Sequence, residues 1–141
     1  MEKKIIAGVD EIDSVVAYII EQMKDSSIVT FTGSLGAGKT TLIRKLLRKC
    51  GVDGVITSPT FTYVNHYKNN AGNYFYHFDC YRIEDVEDFC ALGFDEYLYQ
   101  DLSWSFIEWP EVINSLIAKK VCKVHIEYFG QDKRLFTIER V

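Results

Sequence analysis

Residues 33–40 read GSLGAGKT, a complete GxxxxGK[ST] pattern whose residue types are those that hold phosphate. Gly33, Gly36 and Gly38 free the backbone for turns that a Cβ forbids, so that successive N–H groups converge on one anion. Lys39 adds a mobile point charge suited to the β- and γ-phosphates, and the hydroxyl of Thr40 is of the kind that binds magnesium. Leu35, Ala37 and Thr41 fill the loop and its exit and complete the expected nucleotide-contacting set. The ligand class implied is a nucleoside triphosphate with magnesium.

Such a loop works only between a strand and a helix. Ile28 to Thr32 is a β-branched, largely apolar run that suits a buried strand leading into Gly33. Leu42, Ile43, Leu46, Leu47 and Cys50 fall on one helical face, with Arg44, Lys45, Arg48 and Lys49 turned outward and Gly51 as the stop. A helix beginning near Lys39 brings its positive end and its free N–H groups to the phosphates.

Triphosphate chemistry also needs an acid near the metal and a group that orients water. Asp79 ends the run YFYHFD and Glu108 ends WSFIE, so each acid is delivered by an apolar strand to a sheet edge. For either one alone, capping a helix or turn explains the acid equally well, and the glycine loop in the same chain tips both toward the metal site. Thr60 and Thr62, after Pro59, resemble a switch segment that reaches metal or γ-phosphate only when the triphosphate is present, although by spacing alone a threonine-rich strand is more often just a strand. His66 and His77 fit packing better than catalysis, and Trp109 could stack on a base or pack on a helix.

The 141 residues suit one domain, 1–141, with little room for a separate acceptor-binding unit. No apolar run approaches a membrane span, and Met1 to Lys4 are expected to lead into a helix and not a signal peptide, which points to the cytoplasm. Cys50, Cys80, Cys90 and Cys122 lack metal-ligand spacing and are expected to be reduced thiols. A net charge of −4 is wrong for a chain that grips nucleic acid unaided.

The remaining pattern predicts a helix capped by Asp10 and carrying Ile12, Val15, Val16, Ile19, Ile20 and Met23 on one stripe. A brief extended piece at Val55–Ile56 and a strand over 58–67 follow. Residues 68–73 turn that strand into a second one at 74–78. A short helix is predicted over 84–92 with Gly93 as its stop, then a strand at 105–108, a helix from Pro110 through Ile117, and strands at 122–128 and 135–140. The fold class is α/β, a P-loop NTPase-like mixed central sheet flanked by helices.

GSLGAGKTT, SPTFTYVNHY, YHFDCYR, LGFDEYL and IEWPE, in this order and at these separations, closely resemble the TsaE family, small bacterial ATPases of the tRNA threonylcarbamoyladenosine pathway. The resemblance runs from about Glu11 to Arg134, and the SPTF and IEWPE segments are far more diagnostic than the loop. It implies ATP binding with slow hydrolysis, and association with the TsaD and TsaB proteins, which transfer threonylcarbamoyl to the adenosine beside the anticodon. It implies Lys39 on the phosphates, Thr40 and Glu108 on Mg2+, Asp79 and Thr60 as supports of water and switch, and Glu11 and Arg134 as nucleotide contacts outside the loop. Cys80 stands where an aliphatic residue is commoner in that family. The acidic balance is compatible with tRNA held by the partner assembly, and the small size with an ATPase that serves another enzyme.

Two other function classes compete. A small-molecule or nucleoside kinase needs an acceptor site and an arginine-bearing lid, for which no insertion is evident; a binding module would keep ATP as a structural ligand, which the pair of acids at 79 and 108 argues against. No NKxD-type segment suggests guanine recognition.

Overall fold

The computed structural model describes residues 2–141. In chain order the elements are β1 (Glu2–Gly8), α1 (Asp13–Gln22), β2 (Ile28–Gly33), α2 (Lys39–Lys49), β3 (Val64–Lys68), β4 (Tyr74–Asp79), α3 (Val86–Ala91), β5 (Ser103–Glu108), β6 (Val121–Phe129) and β7 (Lys133–Arg140). Short 3-10 turns cover Val9–Glu11, Phe94–Tyr97 and Pro110–Leu116. The strands form one mixed seven-stranded sheet in the order β1-β7-β6-β2-β5-β4-β3. Its centre, β6-β2-β5-β4, is parallel; β7 and β1 extend one side antiparallel and β3 the other. This is the expected mixed α/β sheet flanked by helices.

The period of two along each strand divides the core between the sheet's faces. Val29, Phe31, Phe75 and Phe106 pack with Val15, Val16 and Ile19 of α1 and Leu42, Ile43, Leu46 and Leu47 of α2. Ile28, Tyr76, Phe78 and Ile107 pack on the opposite face with Phe89, Ile113 and Val121. Leu46 and Leu47 are fully buried; truncating either to Ala costs about 2–5 kcal/mol. Their packing holds α2, and with it the start of the glycine loop, against the sheet.

Five expectations change. The segment after Met1, which itself lies outside the described residues, is a strand: β1 pairs antiparallel with β7, and as an edge strand it buries only Ala7, so it carries no clear alternation. Asp10 sits within the turn Val9–Glu11 and caps nothing; α1 begins one turn later, after Ile12, without a side-chain cap. The strand predicted over 58–67 is confined to 64–68, because Pro59 has no N–H to pair and its carbonyl accepts the N–H of Tyr63, whose φ is 66°. Val55–Ile56 joins no sheet; the Arg48 guanidinium instead bonds the carbonyls of Val52 and Gly54 just before it. The segment from Pro110 is a 3-10 turn broken at Ile113 and not a regular helix.

Candidate functional site

β2 ends at Gly33, whose φ of 141° and close approach to the Ile126 carbonyl leave no place for a side chain. Gly36 (φ 79°) and Gly38 (φ 105°) carry the turn into α2. Gly38 is the N-terminal cap of that helix and offers no side-chain acceptor, so the first-turn N–H groups are without a side-chain partner and available to an anion.

Lys39 is buried, and its Nζ donates to the carbonyls of Gly33 (2.8 Å) and Ser34 (2.9 Å). The ammonium also lies 4.3 Å from the centre of the Trp109 ring. Burial lowers its pKa from the usual lysine value, against the opposing charges of Glu108, Asp79 and Glu111. The loop thus holds its own cation at the place a phosphate would need it.

One residue on, the Thr40 hydroxyl donates to both carboxylate oxygens of Glu108, at 3.0 and 3.1 Å. Glu108 is almost wholly buried at the end of β5. Its Oε2 lies 2.7 Å from Nε2 of His77 on β4. Asp79, at the end of β4, is the register partner of Glu108 across the parallel pair, so both acids reach the same edge of the sheet. Partial burial raises the Asp79 pKa from its usual value; the Tyr81 N–H, which donates to its Oδ1 at 3.0 Å, works the other way. A cleft of about 410 Å³ opens here, lined by Gly36, Gly38, Lys39, Thr40, Asp79 and Glu108, with Leu35, Thr41, Ser58, Thr60, Tyr81, Arg82 and Trp109 around them.

Against this geometry, the family description "Threonylcarbamoyl adenosine biosynthesis protein TsaE" matches residues 6–136. The chain belongs to the TsaE family. It is 35% identical over 135 residues to the tRNA threonylcarbamoyladenosine biosynthesis protein TsaE of Rickettsia felis, which covers 95% of this chain and 77% of that one. The protein of the same description from Haemophilus influenzae is 39% identical over 108 residues, covering 77% of this chain and 67% of that one. That from Bacillus subtilis is 33% identical over 118 residues, with 84% and 72% covered. A crystal structure of Bacillus subtilis YdiB superposes with a TM-score of 0.71 at 26% identity, covering 98% of this chain and 84% of that one.

In this TsaE-family chain the residues singled out from the sequence divide into two groups. Lys39, Thr40, Asp79, Glu108 and Thr60 share the cleft with Leu35, Gly36, Gly38 and Thr41; Gly33 and Ala37 shape the loop from behind. Thr60 lies in the turn before β3, where its Oγ1 is 2.8 Å from the Ser58 hydroxyl and so is engaged within its own loop. Glu11 and Arg134 do not line this cleft. Glu11 lies where β1 leaves its pairing with β7: it accepts the Gly8 N–H at 3.2 Å and lies 3.9 Å from the ammonium of Lys133, the residue before Arg134.

Two side chains contribute that sequence reasoning did not single out as functional. Tyr128 of β6 donates to the Gly36 carbonyl at 3.0 Å, and the Arg134 guanidinium lies 4.2 Å from the centre of its ring, so Tyr128 ties the β1–β7 edge to the glycine loop. No local signal marks it. His77, set aside as a packing residue, does face the site; it precedes Asp79 by two positions, and strand periodicity already puts the two on one face.

Proposed function

We propose that this TsaE-family chain binds ATP with Mg2+ in the cleft, hydrolyses it slowly, and through that cycle supports a TsaB–TsaD assembly in threonylcarbamoyladenosine modification of tRNA. The observation that carries the reading is the bond from Thr40, in the first turn of the loop's helix, to Glu108, at the neighbouring strand end. The donors are hard oxygens, one hydroxyl and one carboxylate with a second carboxylate beside them, which suits magnesium. Among the described residues no group of three His, Cys, Asp or Glu is placed to hold a metal, and magnesium does not need one, since it keeps waters and takes phosphate oxygens as ligands.

Thr40 and Glu108 would hold the ion, which when bound neutralises charge on the phosphate oxygens. Lys39 is held ready by two carbonyls that a phosphate can replace as its partners. Asp79, half-buried and next in register to Glu108, is the group set to orient a water. The Thr60 loop reaches the cleft but bonds to itself, which supports a switch completed only with nucleotide and partner present. Glu11 and Arg134 would contact the nucleotide from the far side of the loop, through the edge that Tyr128 joins to Gly36.

No helix among the described residues is long and apolar enough to cross a membrane. A cytoplasmic location fits the proposed role, and with a net charge of −4 the tRNA is best held by the partners. The test is the ATP hydrolysis rate of the chain alone and mixed with purified TsaB and TsaD, with Lys39→Ala as control. A Lys39-dependent rise is expected; no rise and no complex would defeat the reading, and phosphorylation of an added nucleoside would favour a kinase.

A further inference from the structure

We propose that His77 is a positioning residue for Glu108: it binds one carboxylate oxygen from inside the core so that the other is presented to the metal. The inference rests on the magnesium reading of Glu108 given above. His77 is 1% exposed and does not line the cleft, whereas Glu108 does. Its Nε2 lies 2.7 Å from Oε2, and no hydrogen bond joins it to Oε1. Thr40 is the other donor to the carboxylate, and it reaches both oxygens from the cleft side. One donor therefore sits at the metal's side of Glu108 and one behind it.

The other ring nitrogen decides between packing and positioning. His77 Nδ1 is buried without a hydrogen-bond partner, one of two such side-chain atoms among the described residues, the other being Ser26 Oγ. An orphaned buried polar atom costs about 1–3 kcal/mol. A position that only filled space between β3 and β5 would avoid that cost with an apolar side chain. The imidazole makes a single side-chain hydrogen bond here, and that bond is to Glu108. Because a carboxylate only accepts, the proton of that bond belongs to Nε2.

The geometry of the strands makes the contact possible. His77 stands opposite Phe106 and Asp79 opposite Glu108, so His77 and Glu108 are diagonal neighbours on the face that carries α2. Partners of this kind behind a ligand fix its orientation, and losing one lowers metal affinity about 10–100-fold.

The experiment compares ATP binding with Mg2+ and with EDTA by titration calorimetry, below the melting temperature of every variant. His77→Leu is expected to weaken Mg2+-dependent binding about tenfold while leaving binding in EDTA unchanged. His77→Gln, whose amide nitrogen reaches the place of Nε2, should restore most of the difference. If His77→Leu does not fold, His77→Asn replaces it, since its shorter amide reaches only the place of Nδ1. An unchanged Mg2+ effect, or glutamine no better than leucine or asparagine, overturns the proposal. Glu108→Ala in the same titration separates the two readings. If it abolishes the Mg2+ effect and the leucine variant leaves that effect unchanged, only the positioning role fails; if it leaves the effect intact, the metal-ligand reading of Glu108 fails and the positioning role falls with it.

Discussion

Asp79 and Glu108 are register partners at the ends of adjacent parallel strands, and the Cys80 N–H donates to the Glu108 carbonyl at 3.0 Å immediately beyond them. The two acids differ in surroundings. Glu108 is buried and bonded by Thr40 and His77, whereas Asp79 is half-buried and bonded by one backbone N–H. That difference suits Glu108 to hold a cation and Asp79 to meet solvent.

Lys39→Ala removes the ammonium that bridges the carbonyls of Gly33 and Ser34. Loss of partner-stimulated ATP hydrolysis and of pathway function is expected. Complementation at the wild-type level in cells would rule out an ATP-dependent role.

Glu108→Ala is expected to weaken nucleotide binding by at least about tenfold in Mg2+ and much less in EDTA. The Thr40 hydroxyl then loses its acceptor, so Thr40→Val should resemble it. Equal losses with and without the metal would contradict the assignment.

Asp79→Asn should stabilise the nucleotide-free chain at neutral pH. Burial raises the folded-state pKa of Asp79 above the unfolded value, so the folded state favours the protonated acid. The carboxylate is therefore a cost above the folded pKa, and the cost vanishes as pH falls below the unfolded value of 3.8. Asparagine keeps the oxygen that accepts from Tyr81 without the charge. Thermal melts of both proteins from pH 3 to 8, pH values being about one unit apart, should separate as pH rises; curves that coincide at pH 7 would refute the sign. The same variant should slow hydrolysis in the partner complex.

Thr60→Ala removes a hydroxyl engaged only with Ser58. ATP affinity of the isolated chain should change by less than about twofold, because that hydroxyl bonds only within its own loop, while hydrolysis in the TsaB–TsaD complex falls further. Matching rates for the two proteins in the complex would remove the switch from the proposal.

Gly33→Ala places a Cβ against the Ile126 carbonyl at a positive φ. A loss of about 2 kcal/mol or more is expected in urea unfolding, together with weaker nucleotide binding. A stability equal to wild type would mean that β6 yields at this point.

The sequence was most legible where local chemistry and pattern agree. The loop from Gly33 to Thr40 and the α2 stripe of Leu42, Ile43, Leu46 and Leu47 are contiguous, and each residue type has a local reason to be there. The apolar runs ending in Asp79 and Glu108 are likewise strands. β1 was not legible, because an edge strand that buries one residue leaves no alternation to read. Thr60 reads as part of a strand because β-propensity in 58–63 is high, and a proline without an N–H outweighs it.

The residue sequence by itself determined the glycine-rich loop between strand and helix, the two strand-end acids and the family, since each depends on neighbours along the chain. Only the tertiary structure decided that Asp79 meets Glu108, that Thr40 and His77 hold Glu108 from opposite sides, and that Tyr128 joins Gly36 to Arg134. These contacts span up to 92 residues, between Gly36 and Tyr128. They exist because sheet order, with β5 between β2 and β4, is set by how two hydrophobic faces are buried together and not by any short run of residues.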